Sequence, residues 1–247
     1  MTAMEIVFLG TNGWYDTLAG NTICILIRSR HHDILLDAGD GIHKLDRFIE
    51  EGPVHLFLSH FHLDHISGLH ILNKFHLSEG LHIYGQPGTR RTLDAIVNRP
   101  FTVPLKELPY PVDVAELEPG LHEQPFPLEC RFLEHTSPCL GYRFHLDDRI
   151  IAYCPDTGLC ENAVSLARGA DLLIAECSLR PGETSPEWPH LNPEDAVSLA
   201  RKAGAKKLAL VHFDASRYPT VEDRLDAASS VNYPGLIVAL DDMAIDM

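Results

Sequence analysis

Basic residues are scarce in this chain, and long apolar runs and closely spaced cysteine pairs are missing altogether. Lys and Arg number 20 against 35 Asp and Glu, a formal net charge of −15. A protein that grips a long nucleic acid draws most of its affinity from phosphate neutralisation and needs a basic stripe. The only basic clusters are Arg28/Arg30, Arg90/Arg91 and Lys202/Lys206/Lys207, each small, so the expected partner is a small substrate and not a long nucleic acid. No apolar stretch approaches the 18 residues of a membrane span. Met1-Thr2-Ala3-Met4-Glu5 runs straight into Ile6-Val7-Phe8-Leu9, without the basic and long apolar regions of a secretory signal. The six cysteines, at 24, 130, 139, 154, 160 and 177, form no CxxC pair, and four sit in or beside apolar runs. They read as reduced core residues of a cytoplasmic protein, with neither disulfides nor cysteine catalysis.

What the chain does hold is histidine, and His60-Phe61-His62-Leu63-Asp64-His65 is its most informative segment. It follows Val54-His55-Leu56-Phe57-Leu58-Ser59, a short apolar run bounded by Pro53 that reads as a buried strand. A strand that stops into a tight loop with three imidazoles and a carboxylate can grip two metals. His60 and His62 point to one side, Asp64 and His65 to the other. Mixed nitrogen and oxygen donors suit zinc, with iron or manganese as competitors.

Strand candidates come early and densely, at Glu5–Leu9, Thr22–Arg28, Ile34–Asp37 and Val54–Ser59, then a helix over Ile66–Phe75 and a strand at Leu81–Tyr84. Between Arg99 and Pro127 seven prolines predict an irregular excursion with short strands, read equally as a surface loop or as part of a substrate lip. The pattern resumes with strands at Cys130–Glu134, Leu140–Phe144 and Arg149–Cys154. Ala163–Arg168 and Ala196–Arg201, 33 positions apart, predict two similar helices, each closed by a glycine and followed by an apolar run, Leu172–Ala175 and Leu208–Val211. Asn192 and Pro193 mark the start of the second helix. No linker divides the 247 residues, so the expectation is one domain over 1–247 with two β-layers covered outside by helices, an αββα sandwich.

Further ligand-like residues stand at strand ends: His135 after Cys130–Glu134, Asp156 after Arg149–Cys154, and His212 after Leu208–Val211. Alone, a strand-end histidine is an ordinary polar residue. Together they complete a dinuclear set, with His60, His62 and His135 on one metal, Asp64, His65 and His212 on the other, and Asp156 between them.

His-x-His-x-Asp-His followed by a strand-end His, Asp156-Thr157-Gly158 and a C-terminal His closely resembles the metallo-β-lactamase superfamily. The resemblance runs from Phe8-Leu9-Gly10-Thr11 through Leu35-Leu36-Asp37-Ala38-Gly39-Asp40-Gly41 to Val211-His212-Phe213. It is strongest to the ribonuclease Z branch, through Gly20-Asn21-Thr22, His135-Thr136-Ser137-Pro138, Ala175-Glu176-Cys177 and His190-Leu191-Asn192-Pro193-Glu194-Asp195-Ala196. That resemblance implies the four-layer αββα fold, the seven ligands named, and two divalent metals, zinc first with manganese or iron as alternatives. It also implies Glu176 and His190 as an acid pair, with His190 protonating the leaving group, and Asp64 orienting a hydroxide held between the metals. Asp37 is expected to buttress a ligand histidine, and Asn21, Thr136 and Ser137 to line a phosphate or sugar pocket.

Ribonuclease Z enzymes of the common short form carry a tRNA-clamping arm between the residues matching His135 and Asp156, where this chain has only 20 residues. The function implied is therefore an arm-less phosphodiesterase on a small phosphodiester or cyclic phosphate, with no membrane partner and a homodimer left open. The alternatives are a glyoxalase II-like thioester or carboxyl-ester hydrolase, a tRNA 3′-processing endonuclease working without the arm, and a non-catalytic metal-binding protein.

Overall fold

Runs such as Cys24–Arg28 and Leu172–Glu176 are apolar at consecutive positions, which a strand permits only when both of its faces are covered. A computed structural model describes residues 4–49 and 52–247 and shows this burial. Residues 1–3, which begin the segment read as lacking a secretory signal, lie outside the described residues, as do residues 50 and 51. One seven-stranded sheet runs in the order Met243–Asp246, Glu5–Gly10, Cys24–Arg28, Asp33–Leu36, Val54–Phe57, Leu81–Gly85, Val112–Glu116. The other runs Leu236–Val238, Leu208–Val211, Leu172–Glu176, Arg149–Cys154, Leu140–Leu146, Leu128–Phe132, Gly120–His122.

Between the sheets Ile6, Phe8, Ile25 and Phe57 meet Tyr142, Phe144, Tyr153, Ile174 and Val211 in one buried core. The alternate residues face outward under helices. Leu26, Leu56 and Leu58 pack with Ile42, Leu69 and Leu93, and Leu173 and Leu210 pack with Leu166, Ala196 and Leu199. This is the αββα sandwich expected from the sequence. No helix of the described residues is long and apolar enough to cross a membrane.

The paired helices expected over Ala163–Arg168 and Ala196–Arg201 form at Glu161–Ala167 and Pro193–Ala203, side by side on the second sheet. Asn192 Oδ1 accepts from the Asp195 amide at 2.7 Å, and Gly204 closes the helix in the left-handed region. The helix expected over Ile66–Phe75 is instead one α-turn, Leu63–Ile66, followed by a 3₁₀ segment, Ser67–Lys74. The Gly68 amide donates to Ala38 O at 2.9 Å, so it cannot serve the i−4 ladder of an α-helix. A Cβ on Gly68 would stand 2.4 Å from Gly39 O, so the turn is drawn tightly against the loop that carries Asp37.

The proline-rich stretch is a crossing between sheets. It contributes the edge strand Val112–Glu116 to the first sheet and Gly120–His122 to the second. The six cysteines are free, and all but Cys160 are buried.

A histidine cluster lies beneath the sheet at the ends of strands opposite to the metal-motif loop. His55 is 5% exposed and stacks on His82 with centroids 5.3 Å apart. Its Nε2 has no hydrogen-bond partner, and burial, helped by neighbouring His32 and His82, lowers its pKa to about 4. Between about pH 6.5 and 4 the unfolded chain binds a proton here that the folded chain does not. The contribution to stability is therefore complete above pH 6.5 and is lost as pH falls toward 4, on the order of 2–3 kcal/mol in all. Thermal unfolding from pH 7.5 to 4.5 should show a smaller loss for His55→Leu than for the unsubstituted chain. Parallel curves would show that His55 carries no such linkage.

Candidate metal centre and cavity

Parallel strands end at one edge of each sheet, and the side chains that follow those ends converge there, as in other open α/β arrangements. Val54–Phe57 leads into Ser59-His60-Phe61-His62, and Arg149–Cys154 leads to Asp156. Leu172–Glu176 places Glu176 and Ser178, and Leu208–Val211 delivers His212. Leu128–Phe132 sends His135 to the same edge. His212 itself has a positive φ of 54°, a left-handed position uncommon for a side chain of this size. Phe213–Asp214 beyond it pairs with Asn12–Gly13. A Cβ on Gly13 would sit 2.5 Å from the His212 ring, so only glycine fits there.

All seven residues expected to bind metal come together. One set is His60, His62, His135 and Asp156, and a second is Asp64, His65 and His212; within each, the candidate ligand atoms lie within 4.8 Å of one another. Asp156 serves both. Its Oδ1 is 3.1 Å from His65 Nε2 and 3.3 Å from His212 Nε2, while its Oδ2 is 3.8 Å from the Nε2 atoms of His60 and His135.

The donor atoms fit divalent cations better than they fit one another. His65 Nε2 and His212 Nε2 approach to 3.0 Å, and with both rings neutral that contact sets two lone pairs against each other. His60 Nε2 and Asp156 Oδ1 are buried without a hydrogen-bond partner, and such atoms are costly unless something else satisfies them. The charges agree. Burial opposes ionisation of Asp156, yet His212 and His65 hold its pKa well below the usual carboxylate range. Burial likewise opposes protonation of His65, yet Asp156, Asp37 and Asp64 hold its pKa well above the ordinary value. The carboxylates thus draw positive charge to the point where a cation would stand.

The outer nitrogens are fixed. His65 Nδ1 is 2.8 Å from Asp37 Oδ2, His212 Nδ1 is 3.0 Å from Ser178 Oγ, and His60 Nδ1 is 3.0 Å from Ser59 Oγ. The Asp37 contact is the buttress expected from the sequence. Such partners fix which nitrogen is turned toward a metal.

Glu176 and His190 also meet. His190 Nδ1 donates to Glu176 Oε1 at 2.6 Å, and Glu176 accepts from the amides of Thr157 and Ser178 at 2.9 Å each. Burial works against the His190 proton, but Glu176 prevails and raises the pKa to about 9. His190 lies within 4.8 Å reach of Asp156 and His212.

The cluster opens into a cavity of about 680 Å³. Its walls include His62, Asp64, Asp156, His190 and His212, together with Trp14, Leu63, Trp188, Asp214 and Arg217. The expected pocket residues Asn21, Thr136 and Ser137 are not in its lining; Asn21 Nδ2 is engaged by Asp16 Oδ2 at 2.8 Å and Ser137 Oγ stands 3.5 Å from His62 Nε2. Nor does residue 99–127 contribute to the lip. The mouth is built instead by Trp14, Trp188 and Arg217, which sequence reasoning passed over. The one signal available was that both tryptophans of the chain fall in loops beside motif residues, Trp188 only two positions before His190.

A family model described as a beta-lactamase superfamily domain matches residues 32–213. Ribonuclease Z of Methanothermobacter thermautotrophicus is 29% identical over 300 positions, covering 99% of this chain and 97% of that protein. Ribonuclease Z of Myxococcus xanthus is 25% identical over 308 positions, covering 100% of this chain and 99% of that protein. Both alignments are longer than the 247 residues here, so these relatives hold segments with no counterpart in this chain. Among solved structures, the metallo-beta-lactamase fold protein YhfI from Bacillus subtilis matches with TM-score 0.79 at 21% identity over the whole of both chains. Human short-form tRNase Z matches with TM-score 0.76 at 24% identity, over 98% of this chain and 99% of that one. A diphosphatase from the PhnP family gives TM-score 0.76 at 18% identity, over 99% and 98%. With the metallo-β-lactamase fold, the His/Asp cluster and these relatives in agreement, the chain belongs to the beta-lactamase superfamily of hydrolases and is similar within it to the ribonuclease Z proteins.

Proposed function

We propose that this protein is a dinuclear metal-dependent phosphodiesterase acting on a small phosphodiester or cyclic phosphate. The observation that carries the dinuclear reading is Asp156, whose two oxygens face two separate histidine sets. His60, His62 and His135 would hold one divalent ion, Asp64, His65 and His212 the other, and Asp156 both. Zinc suits this mixture of imidazole and carboxylate donors, with manganese or iron as alternatives. Bound there, two such ions supply Lewis acidity and an ionised water at neutral pH.

The chain's own groups do the rest. Asp64 Oδ2 accepts the Trp14 amide at 2.7 Å and lies 3.2 Å from His212 Nε2, so its orientation is fixed beside the attacked phosphate. The departing alkoxide needs a proton. With Nδ1 of His190 donating to Glu176, Nε2 carries the transferable proton into the cavity wall, and the raised pKa keeps it there at neutral pH. Leu63, Leu179 and Trp188 give the cavity wall apolar surface beside these groups.

A second reading, an RNA endonuclease, is favoured by full-length similarity to proteins named ribonuclease Z. Against it stand the charge of −15 and the mere 20 residues between His135 and Asp156. Metal-loaded protein should therefore cleave bis-p-nitrophenyl phosphate or cyclic nucleotides and leave pre-tRNA intact. Trimming of a tRNA 3′ trailer at a comparable rate would establish the endonuclease, and turnover of lactoylglutathione alone would establish a thioesterase.

Metal analysis after gentle purification should approach two transition-metal ions per chain, and His60→Ala should lose metal. Full loading with a single iron would refute the dinuclear reading, and full loading without turnover of any substrate would favour a binding protein.

His190→Ala should retain metal and lower kcat by roughly 10²–10⁴, the usual range for a lost general acid. The loss should shrink on esters of p-nitrophenol, which departs without a proton, and Glu176→Gln should show the same pattern more weakly. Equal losses on activated and unactivated esters would assign His190 to phosphate positioning.

A further inference from the structure

The chain has two tryptophans, and both line the cavity. Neither has a part in the metal sets or the proton step. Trp14 is 65% exposed and Trp188 is 50% exposed, although large aromatic side chains are on average well buried. Both are nevertheless held in place from within the site. The Trp188 ring lies nearly parallel to His62, 13° apart with centroids at 5.7 Å, and edge-on to His135 at 6.0 Å. Trp14 has a φ of 74°, a left-handed conformation strained for so bulky a residue. Its amide donates to Asp64 Oδ2 at 2.7 Å, so the strain is held by a residue of the second metal set.

Charge at the mouth narrows what these rings can serve. Arg217 is the only Lys or Arg in the lining. Its guanidinium is paired with two carboxylates, donating to both oxygens of Glu183 at 2.9 and 3.0 Å and to Asp214 Oδ2 at 2.7 Å. The His190 imidazole is paired with Glu176 through Nδ1, and its Nε2 proton serves the leaving group of the reacting ester. The lining thus offers flat π surface beside the reaction centre and no uncommitted cation for a second phosphate. The cavity volume of about 680 Å³ is ample for a nucleotide-sized ligand.

We infer that the substrate is a phosphodiester carrying one planar heteroaromatic group of the nucleobase kind and a single negative charge, with Trp14 and Trp188 as the ring-binding, specificity-determining residues. This deepens the phosphodiesterase reading above and rests on it. Stacking on an indole discriminates weakly among bases, because every base has a π-face. The site therefore selects for a base while accepting several.

Two esters with the same leaving group and the same charge isolate the nucleoside, and the tryptophan variants then isolate its ring: the p-nitrophenyl ester of thymidine 5′-monophosphate, and methyl p-nitrophenyl phosphate. With the metal-loaded full chain, kcat/KM for the nucleoside ester should exceed that for the methyl ester by roughly tenfold or more, mostly through KM. Trp14→Ala and Trp188→Ala should each bring that ratio toward one, and the Phe variants should keep most of it. Adding a 3′-phosphate to the nucleoside ester should lower kcat/KM. Hydrolysis of both esters at equal efficiency, or a ratio unmoved by either Ala variant, would overturn the inference and leave the phosphodiesterase reading intact. A 3′-phosphate that raises kcat/KM would overturn the single-charge assignment. Failure to hydrolyse either ester with both metal sites filled would overturn the phosphodiesterase reading and this inference together.

Discussion

Everything at the site hangs on a carboxylate that never meets solvent. Asp37 is fully buried. It accepts from the Ser59 amide at 2.7 Å, the Ser59 hydroxyl at 2.8 Å and the Tyr153 hydroxyl at 2.7 Å, with His65 Nδ1 at 2.8 Å. A carboxylate without water costs several kcal/mol unless such donors replace its hydration, and each donor here does a second task. Ser59 begins the loop that bears His60 and His62, and Tyr153 belongs to the opposite sheet. His65 is fixed with Nε2 toward Asp156. The same group thus ties the two sheets together and orients the loop of candidate metal ligands. Asp37 adopts a φ of 57° to reach this position, a strain sustained by four contacts at once.

That arrangement explains why so much of the centre was legible in the sequence. His60 to His65 is contiguous, so its chemistry is local and its spacing alone separates two sets of donors. His135, Asp156 and His212 are distant in sequence, but each follows a segment that reads as a strand, and strands running the same way deliver their ends to one edge. Glu176 and His190 were legible only by resemblance; nothing in their own surroundings predicts the 2.6 Å contact between them. The turn after His65 was misread as a regular helix because its apolar spacing is helical, whereas the close approach of Gly68 to Ala38 and Gly39 is a tertiary demand. Edge strand Met243–Asp246 escaped, and Val112–Glu116 was expected only as an unplaced short strand of the proline-rich stretch, for a related reason: their burial pattern is intermediate and exposed throughout, and pairing with a distant neighbour defines them.

The mouth is a different matter. Trp14, Trp188 and Arg217 sit on loops, where neither a period of 2 nor one of 3.6 operates, and an exposed aromatic looks the same in sequence whether or not it faces a cavity. Only the fold shows that the segment around Trp14 is tied to the second metal set, through the strand pair Asn12–Gly13 with Phe213–Asp214 and the amide bond to Asp64. A buried arginine reinforces that tie. Arg224 donates to Thr11 Oγ1 at 2.9 Å and to Asn12 Oδ1, and lies over the Phe213 ring at 5.0 Å.

This division of labour has a consequence for how the superfamily resemblance should be weighed. The matched span, residues 32–213, contains all seven candidate ligands, the Glu176–His190 pair and Trp188, whereas Trp14 and Arg217 lie outside it. The candidate metal centre and the Glu176–His190 pair thus lie within the span that marks the superfamily. Around the mouth stand an arginine paired with two carboxylates and two exposed indoles, not the open basic surface that a polyanion needs. Similarity to ribonuclease Z over the full length is therefore evidence about the bond that is broken far more than about the molecule that contains it.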